Sequence, residues 1–349
     1  MNKLLTIVRP ATLDNLASLV KSLQNGKRYM RRVFLILCLT LFWGVSPLWA
    51  EAVLKKASFL PHWSPQAQFA GYYVAYEKGL YQKQGLALTI IQGGPGQPPI
   101  EYLEKKKADF VLTWLTAAIQ RSTGGVKLIN IGQLIQRSAL MLVAKKSSGI
   151  ASPQDMNGKK VGLWPGDFQI QPKAFFRKHN LRVQVIPQSF SVNLFLRGGV
   201  DVASAMWYNE YHTILNAGLD PGELNTFFFP EEGLNFPEDG IYTLAETYRK
   251  DPALCRAFVQ ASLEGWRYAF SHPEEALDIV LKYIARAKIP ANRVHQRWML
   301  ARMQDLMEPV DKGKPFGILQ SADYERVAQT LRESGTLKTT PSYRDFFFR

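Results

Sequence analysis

Four tryptophans in this chain share one local setting. Trp63, Trp114, Trp164 and Trp207 each follow a strand-like run and precede a turn or helix, so each is expected near the carboxyl end of a strand. An indole there can stack on a flat heteroaromatic ring, and two facing indoles can sandwich one. Polar side chains fall beside them. His62 and Gln66 flank Trp63, and Tyr208, Asn209 and Glu210 follow Trp207. The Glu210 carboxylate and the Asn209 amide can pair with the amino and ring-nitrogen groups of a base-like ligand, or Glu210 serves only as a first-turn carboxylate favoured by the helix dipole. Asp239, in Pro237-Glu238-Asp239-Gly240, either reaches a cleft or belongs to an Asp-Gly turn. In Gly93-Gly94-Pro95-Gly96-Gln97, the backbone around Gly96 and Gln97 can approach a ligand, although the loop lacks the spacing and the Lys-Ser/Thr of a P-loop.

These groups have the makings of a binding site, and no catalytic constellation accompanies them. The five histidines, at 62, 179, 212, 272 and 295, show neither HxxxH nor HxH spacing, and there is no GxSxG elbow. His179 and His212 fall on helix patterns and are expected at the surface. No lysine lies in a predicted cleft loop, and no metal or cofactor is expected. Nucleic-acid binding has little support, because runs such as Lys105-Lys106-Lys107 sit at a helix end, where cations suit the dipole.

The elements that position these residues alternate. Strand runs at 53–60, 87–91, 109–112, 126–134 and 138–145 are interleaved with helix patterns at 68–78, 99–106 and 116–122. A second unit follows, with strands at 160–163, 183–186 and 202–205, helices at 171–179, 192–196 and 208–217, and a closing apolar run at 226–229. It opens on a capped turn, with Ser152 at N-cap, Pro153 at N1 and Asp155 at N3. After a strand-like run from Ile241 only helices remain: 251–270, 273–285, 290–307 and 321–335. The βαβ rhythm predicts an α/β protein with doubly wound, mostly parallel sheets, in two lobes. Lobe 1 is expected to hold residues 51–143 with 244–349, and lobe 2 residues 144–243. Crossovers are expected near Leu142–Lys146 and Ile241–Glu246, and the helical C-terminal third is expected to pack on lobe 1. Two lobes joined twice make a hinge with a cleft, where a small molecule can sit.

The first 50 residues are set apart. Lys27, Arg28, Arg31 and Arg32 precede the apolar run Val33–Val45, which leads into Ser46-Pro47-Leu48-Trp49-Ala50. A charged segment, an apolar stretch too short to span a bilayer and a small-residue end read as a secretory signal peptide, with Met30 the expected start. Beyond residue 50 the chain carries 36 basic and 28 acidic residues, a net +8 against +14 for the whole. Only Cys255 remains there, so neither an internal disulfide nor a cysteine metal site is available.

With the motifs placed, the chain resembles the periplasmic solute-binding proteins of the sulfonate/nitrate and THI5/NMT1-like group, which includes receptors for the pyrimidine precursor of thiamine. The resemblance rests on His62-Trp63-Ser64-Pro65-Gln66, Gly71-Tyr72-Tyr73-Val74-Ala75 and Glu77-Lys78-Gly79-Leu80-Tyr81. It extends through Ala108-Asp109-Phe110, Asn157-Gly158-Lys159-Lys160-Val161-Gly162, Met206-Trp207-Tyr208-Asn209-Glu210, Asn235 to Tyr242 and His272-Pro273-Glu274-Glu275-Ala276. It covers about residues 54–335 and implies a type II periplasmic-binding-protein fold. It also implies a periplasmic, monomeric receptor, peripheral to the membrane, serving an ABC permease and its ATPase. The implied ligand is a hydroxymethyl- or aminomethyl-pyrimidine, with a sulfonate, nitrate or riboflavin as alternatives. Its ring would stack on Trp63 and Trp207 or Trp164, and Glu210 or Asp239 would take its exocyclic amine.

The same group contains an enzyme branch, the THI5-type pyrimidine synthases. These use pyridoxal phosphate and a histidine as substrates, with iron and a CCCFC motif. Where that branch carries its lysine and reactive histidine, this chain has Thr113 and Ala117, and no cysteine lies between Phe227 and Leu244. Comparison with that branch therefore implies a protein that is not an enzyme.

Overall fold

The computed structural model describes residues 53–308 and 315–348, with Lys21, Gly26 and Met30 as isolated positions. The signal-peptide reading therefore falls outside the described residues.

The chain begins with β1 (Lys55–Leu60), whose inward residues Ala57, Phe59 and Leu60 are buried while its lysines face out. Helix α1 (Ala70–Glu77) follows and stops before Gly79, which takes the left-handed conformation (φ 68°) that glycine adopts without strain. Next come β2 (Leu86–Ile90), β3 (Phe110–Trp114), α2 (Leu115–Thr123) and β4 (Leu128–Gln133). The chain then enters a second sheet through β5 (Leu140–Lys145). The Ser152 turn forms as expected, with the Asp155 carboxylate accepting from the Ser152 backbone N–H at 2.7 Å. It leads to β6 (Lys160–Leu163), α3 (Ile170–Lys178), β7 (Gln184–Pro187), β8 (Val202–Met206), α4 (Glu210–Asn216) and β9 (Leu224–Phe228). The chain returns through β10 (Asp239–Leu244) and finishes in α5 (Pro252–Ser271), α6 (Pro273–Arg286), α7 (Arg293–Met307) and α8 (Ser321–Glu333).

The two five-stranded sheets run β2-β1-β3-β10-β4 and β7-β6-β8-β5-β9. In each, four strands point one way and the strand that arrives from the other sheet, β10 or β5, runs against its neighbours. The mixed α/β, two-lobed architecture agrees with the periodicity.

The passages between lobes lie earlier than the boundaries at 143/144 and 243/244. The ladder of β5 belongs wholly to the second sheet, with Leu140 opposite Met206 and Met141 opposite Phe228. The ladder of β10 belongs wholly to the first, with Asp239 opposite Trp114 and Gly240 opposite Gln133. A strand whose backbone groups are all paired in one sheet cannot also be a hinge. The chain therefore crosses at residues 134–139 and 229–238.

Helix α5 packs on α1 as two backbones in near contact. A Cβ on Gly265 would lie 2.2 Å from the Gly71 carbonyl oxygen, and one on Gly71 would lie 2.2 Å from the Trp266 ring. Phe258, from the same helix, stacks on Phe110 at 4.3 Å and on Tyr81 at 5.5 Å. The first α5 turn is capped by Asp251, which accepts from the Leu254 N–H at 3.0 Å.

One carboxyl group joins the two crossing segments. Glu238, 1% exposed, accepts at Oε1 from Ser138 Oγ (3.1 Å) and from the backbone N–H groups of Ala139 (2.6 Å) and Leu140 (3.0 Å). Its Oε2 is buried without a partner. Burial and then the neighbouring Asp239 push its pKa from 4.5 up to about 8, against the pull of those hydrogen bonds. The folded state thus holds this proton more tightly than the unfolded chain. The stabilisation is complete below the ordinary carboxylate range and is lost as pH rises toward 8. Glu238→Gln mimics the protonated form. It is expected to raise the melting temperature by several degrees at about pH 9 and to leave it little changed at about pH 5, as read by circular dichroism.

Candidate functional site

The carboxyl ends of four strands converge on a cleft between the lobes, the place where open α/β sheets hold ligands. Trp63 follows β1, Trp114 is the last residue of β3, Trp164 follows β6, and Tyr208-Asn209-Glu210 follow β8. The cleft holds about 210 Å³ and is lined from the first lobe by His62, Trp63, Gln66, Gln68 and Trp114. Trp164, Phe168, Phe190, Met206, Tyr208, Asn209 and Glu210 line it from the second. Edge-to-face pairs join the lobes: Trp63 with Phe190 at 4.8 Å and Trp114 with Phe168 at 4.7 Å. The Trp164 indole also meets Phe168, at 5.7 Å, and is fixed by its N–H donating to the Ser189 carbonyl at 2.9 Å.

The polar side of the cleft combines the Glu210 carboxyl with His62, Gln66, Gln68, Tyr208 and Asn209, which can each donate or accept. Asp239, 3% exposed, accepts from His62 Nε2 and from Gln68 Nε2, both at 2.8 Å. Gln66 in turn donates to Gln68 Oε1 at 2.5 Å. Glu210, buried at the start of α4, accepts from the Met206 N–H at 3.0 Å and from Asn209 Nδ2 at 2.9 Å. Burial outweighs those bonds and raises its pKa from 4.5 to about 7. Burial, then the charges of Glu238, Asp239 and Glu210, hold the Tyr208 phenol well above its usual value. No lysine or arginine lines the cleft among the described residues.

Of the residues singled out from sequence, His62, Trp63, Gln66, Trp114, Trp164, Tyr208 and Glu210 come together at this cleft. Asp239 stands behind His62 as the first residue of β10, so the Asp-Gly turn reading does not hold. Trp207 is turned away. Its ring packs on Arg302 at 4.7 Å and edge-on to Phe228 at 5.6 Å, so it is not available to sandwich a ligand. Side chains alternate at a strand end, and here Met206 and Tyr208 take the cleft side. Gly96 is exposed and Gln97 half-buried, and neither lines the cleft. In that loop it is Gly93 that makes the close approach. A Cβ there would lie 2.1 Å from the Pro61 carbonyl oxygen and 2.4 Å from that of Trp63, so this glycine lets the loop brace the Trp63 turn.

Asn209, grouped with Glu210 from sequence, also lines the cleft, whereas Gln68, Phe168, Phe190 and Met206 were not anticipated. Phe190 had a readable signal, an aromatic side chain between two serines three residues beyond the end of β7, and it remains 55% exposed at the cleft. Gln68 had none, since its position on the first helix pattern is that of many surface glutamines. His212 is buried rather than superficial and meets His295. Thr113 is buried within β3 and Ala117 lies in α2.

The fold is that of the periplasmic aliphatic sulphonate binding protein SsuA from Escherichia coli, with a TM-score of 0.65 over 83% of this chain and 96% of that one, at 16% identity. In sequence the chain is 24% identical to the riboflavin-binding protein RibY of Chloroflexus aurantiacus, over 85% of this chain and 86% of the relative. It is 21% identical to a formylaminopyrimidine-binding protein of Halalkalibacterium halodurans (80% and 86%). It is also 23% identical to a 4-amino-5-hydroxymethyl-2-methylpyrimidine phosphate synthase of Legionella pneumophila (69% and 77%). Residues 66–276 match the family described as NMT1/THI5 like. More than half of its length carries that match, and the chain belongs to the NMT1/THI5-like family.

Proposed function

We propose that this protein is an exported receptor that binds a single-ring aminopyrimidine of the thiamine-precursor type and presents it to the permease of an ABC importer. The observation that carries the reading is the pairing of aromatic walls with the buried Glu210 carboxyl and, among the described residues, no lysine or arginine. Trp63, Trp114 and Trp164 offer faces and edges to a flat ring. Glu210 lines the same cleft as an acceptor for an exocyclic amine, and Asp239 fixes His62 and Gln68 from behind.

The alternatives fit less well. A sulfonate or nitrate would bring a negative charge to a cleft that, among the described residues, is lined by the Glu210 carboxyl and by no arginine or lysine to neutralise the charge. Riboflavin asks for more room, because about 210 Å³ lies below the ~300 Å³ at which sites for drug-sized ligands begin. A synthase needs an amine for pyridoxal phosphate and a histidine to consume, and Thr113 and Ala117 supply neither at the matching positions. Among the relatives, the name of the Halalkalibacterium protein pairs binding with a pyrimidine, in keeping with a receptor.

Contacts from both lobes would make the closed arrangement the better binder, so that ligand shifts the population toward the form a permease recognises. Titration of the intrinsic tryptophan fluorescence with 4-amino-5-hydroxymethyl-2-methylpyrimidine, an aliphatic sulfonate and riboflavin tests the reading. The pyrimidine is expected to give a saturable change at micromolar concentration or below, about −8 kcal/mol or stronger. Saturation by the sulfonate or riboflavin alone would overturn the assignment.

A further inference from the structure

Helix α7 belongs to the first lobe. Its Gln296 accepts from the Ala67 N–H at 2.7 Å, in the loop that follows β1. Its N-terminal turn nevertheless reaches across to the second lobe. His295 Nε2 lies 2.9 Å from Asn209 Oδ1, and Asn209 Nδ2 donates to Glu210 Oε1 at 2.9 Å. On its other side, His295 Nδ1 faces His212 Nδ1 at 2.9 Å, and the Asn216 amide lies 3.1 Å from that His212 nitrogen. Trp298 stacks on His212 at 4.9 Å and donates from its indole N–H to the Trp207 carbonyl at 3.0 Å.

The direction of this chain of hydrogen bonds follows from Glu210. With Glu210 ionised, an Asn209 amide turned the other way would set its oxygen against the carboxylate, so the nitrogen faces Glu210 and the oxygen faces His295. His295 therefore donates from Nε2 and, kept neutral by burial, accepts at Nδ1 from the His212 Nδ1–H. That obliges the Asn216 amide to present its oxygen rather than its nitrogen to the same N–H. Both rings must be neutral to hold this pattern. Burial, and for His295 also the adjacent His212, draws both toward the neutral form. The charged and titratable groups packed around the relay are Tyr208 beside Glu210 and, on the helix side, Tyr211 and Arg302 against Trp298, with Asp305 holding Arg302.

We infer that His295, supported by His212, is a positioning residue of the cleft: it holds Asn209 so that Asn209 orients the Glu210 carboxyl, and it does so from the opposite lobe. The acceptor that meets the ligand is then completed by lobe closure itself. This couples the hinge to recognition without ligand touching either histidine. The role of Glu210 toward an amine rests on the function proposed above, but the relay itself does not.

Two variants separate positioning from packing. His295→Phe keeps the ring volume and removes both nitrogens, and His295→Gln restores a donor to Asn209. The carboxyl carbon NMR shift of Glu210 is followed with pH in the ligand-free protein, alongside titration with the hydroxymethyl aminopyrimidine. His295→Phe is expected to move the Glu210 midpoint upward from about 7, through loss of a bond to the ionised form. It is also expected to weaken pyrimidine binding about tenfold, while His295→Gln recovers both properties. An unmoved Glu210 midpoint in His295→Phe, or His295→Gln as impaired as His295→Phe, would overturn the relay. A wild-type protein that binds no aminopyrimidine would overturn the ligand assignment, and the titration would still decide the relay.

Discussion

Glu210→Leu is expected to weaken binding of a hydroxymethyl aminopyrimidine by about 100-fold, the worth of a buried hydrogen bond to a charged acceptor whose loss leaves the ligand amine unpaired. Glu210→Gln separates charge from shape. It can still accept from the Met206 N–H, so helix α4 keeps its start, but it never ionises. The wild-type carboxyl titrates near 7, so affinity for the neutral pyrimidine should rise as pH increases through that value and the charged acceptor is populated. In Glu210→Gln that rise should vanish. Isothermal calorimetry at several pH values reads both effects. A Glu210→Gln variant with the wild-type pH profile would show that the carboxylate does not face the ligand.

Gly265→Ala is expected to cost about 3 kcal/mol of folding stability, measured by urea denaturation with circular dichroism. Helix propensity alone favours alanine over glycine in a helix interior by about 1 kcal/mol, so an uncrowded site would be stabilised. Here the added methyl would lie 2.2 Å from the Gly71 carbonyl oxygen and 2.6 Å from the Ala75 Cβ, and neither the α1 backbone nor its methyl can swing aside. The two helices must separate, and Trp266, fully buried against Gly71, loses its seat. The loop carrying Trp63, Gln66 and Gln68 runs straight into α1, so the same substitution should reduce ligand affinity as well.

Much of the cleft is legible in the sequence, because one rule placed it. In an open α/β sheet the carboxyl ends of strands meet the ligand, and Trp63, Trp114, Trp164, Tyr208 and Glu210 all follow apolar runs bounded by turns. The rule fails at single-residue resolution. Trp207 lies between two cleft residues, and only the pleat of β8 decides that Met206 and Tyr208 face inward while the indole turns to Arg302. The Asp239-Gly240 pair reads as a turn in isolation, yet its register opposite Trp114 and Gln133 makes it the start of a strand.

The limits of local pattern are clearest at the hinge. Residues 138–145 form one apolar run, and nothing in it marks where a strand joins a sheet across the cleft. The polar groups that staple the two crossings, Glu238 and Ser138, are a hundred positions apart. His212 and His295 are 83 positions apart and meet only because α7 folds back across both lobes. Such contacts are set by tertiary packing and leave no periodic trace.

On the function proposed here, the cleft holds a flat, amine-bearing ring between aromatic walls. A crystal structure of the protein grown with 4-amino-5-hydroxymethyl-2-methylpyrimidine tests it most directly. The ring is expected stacked among Trp63, Trp114 and Trp164, with its amine within hydrogen-bond distance of Glu210. A pyrimidine bound elsewhere on the protein, or an anion occupying the cleft in its place, would contradict it.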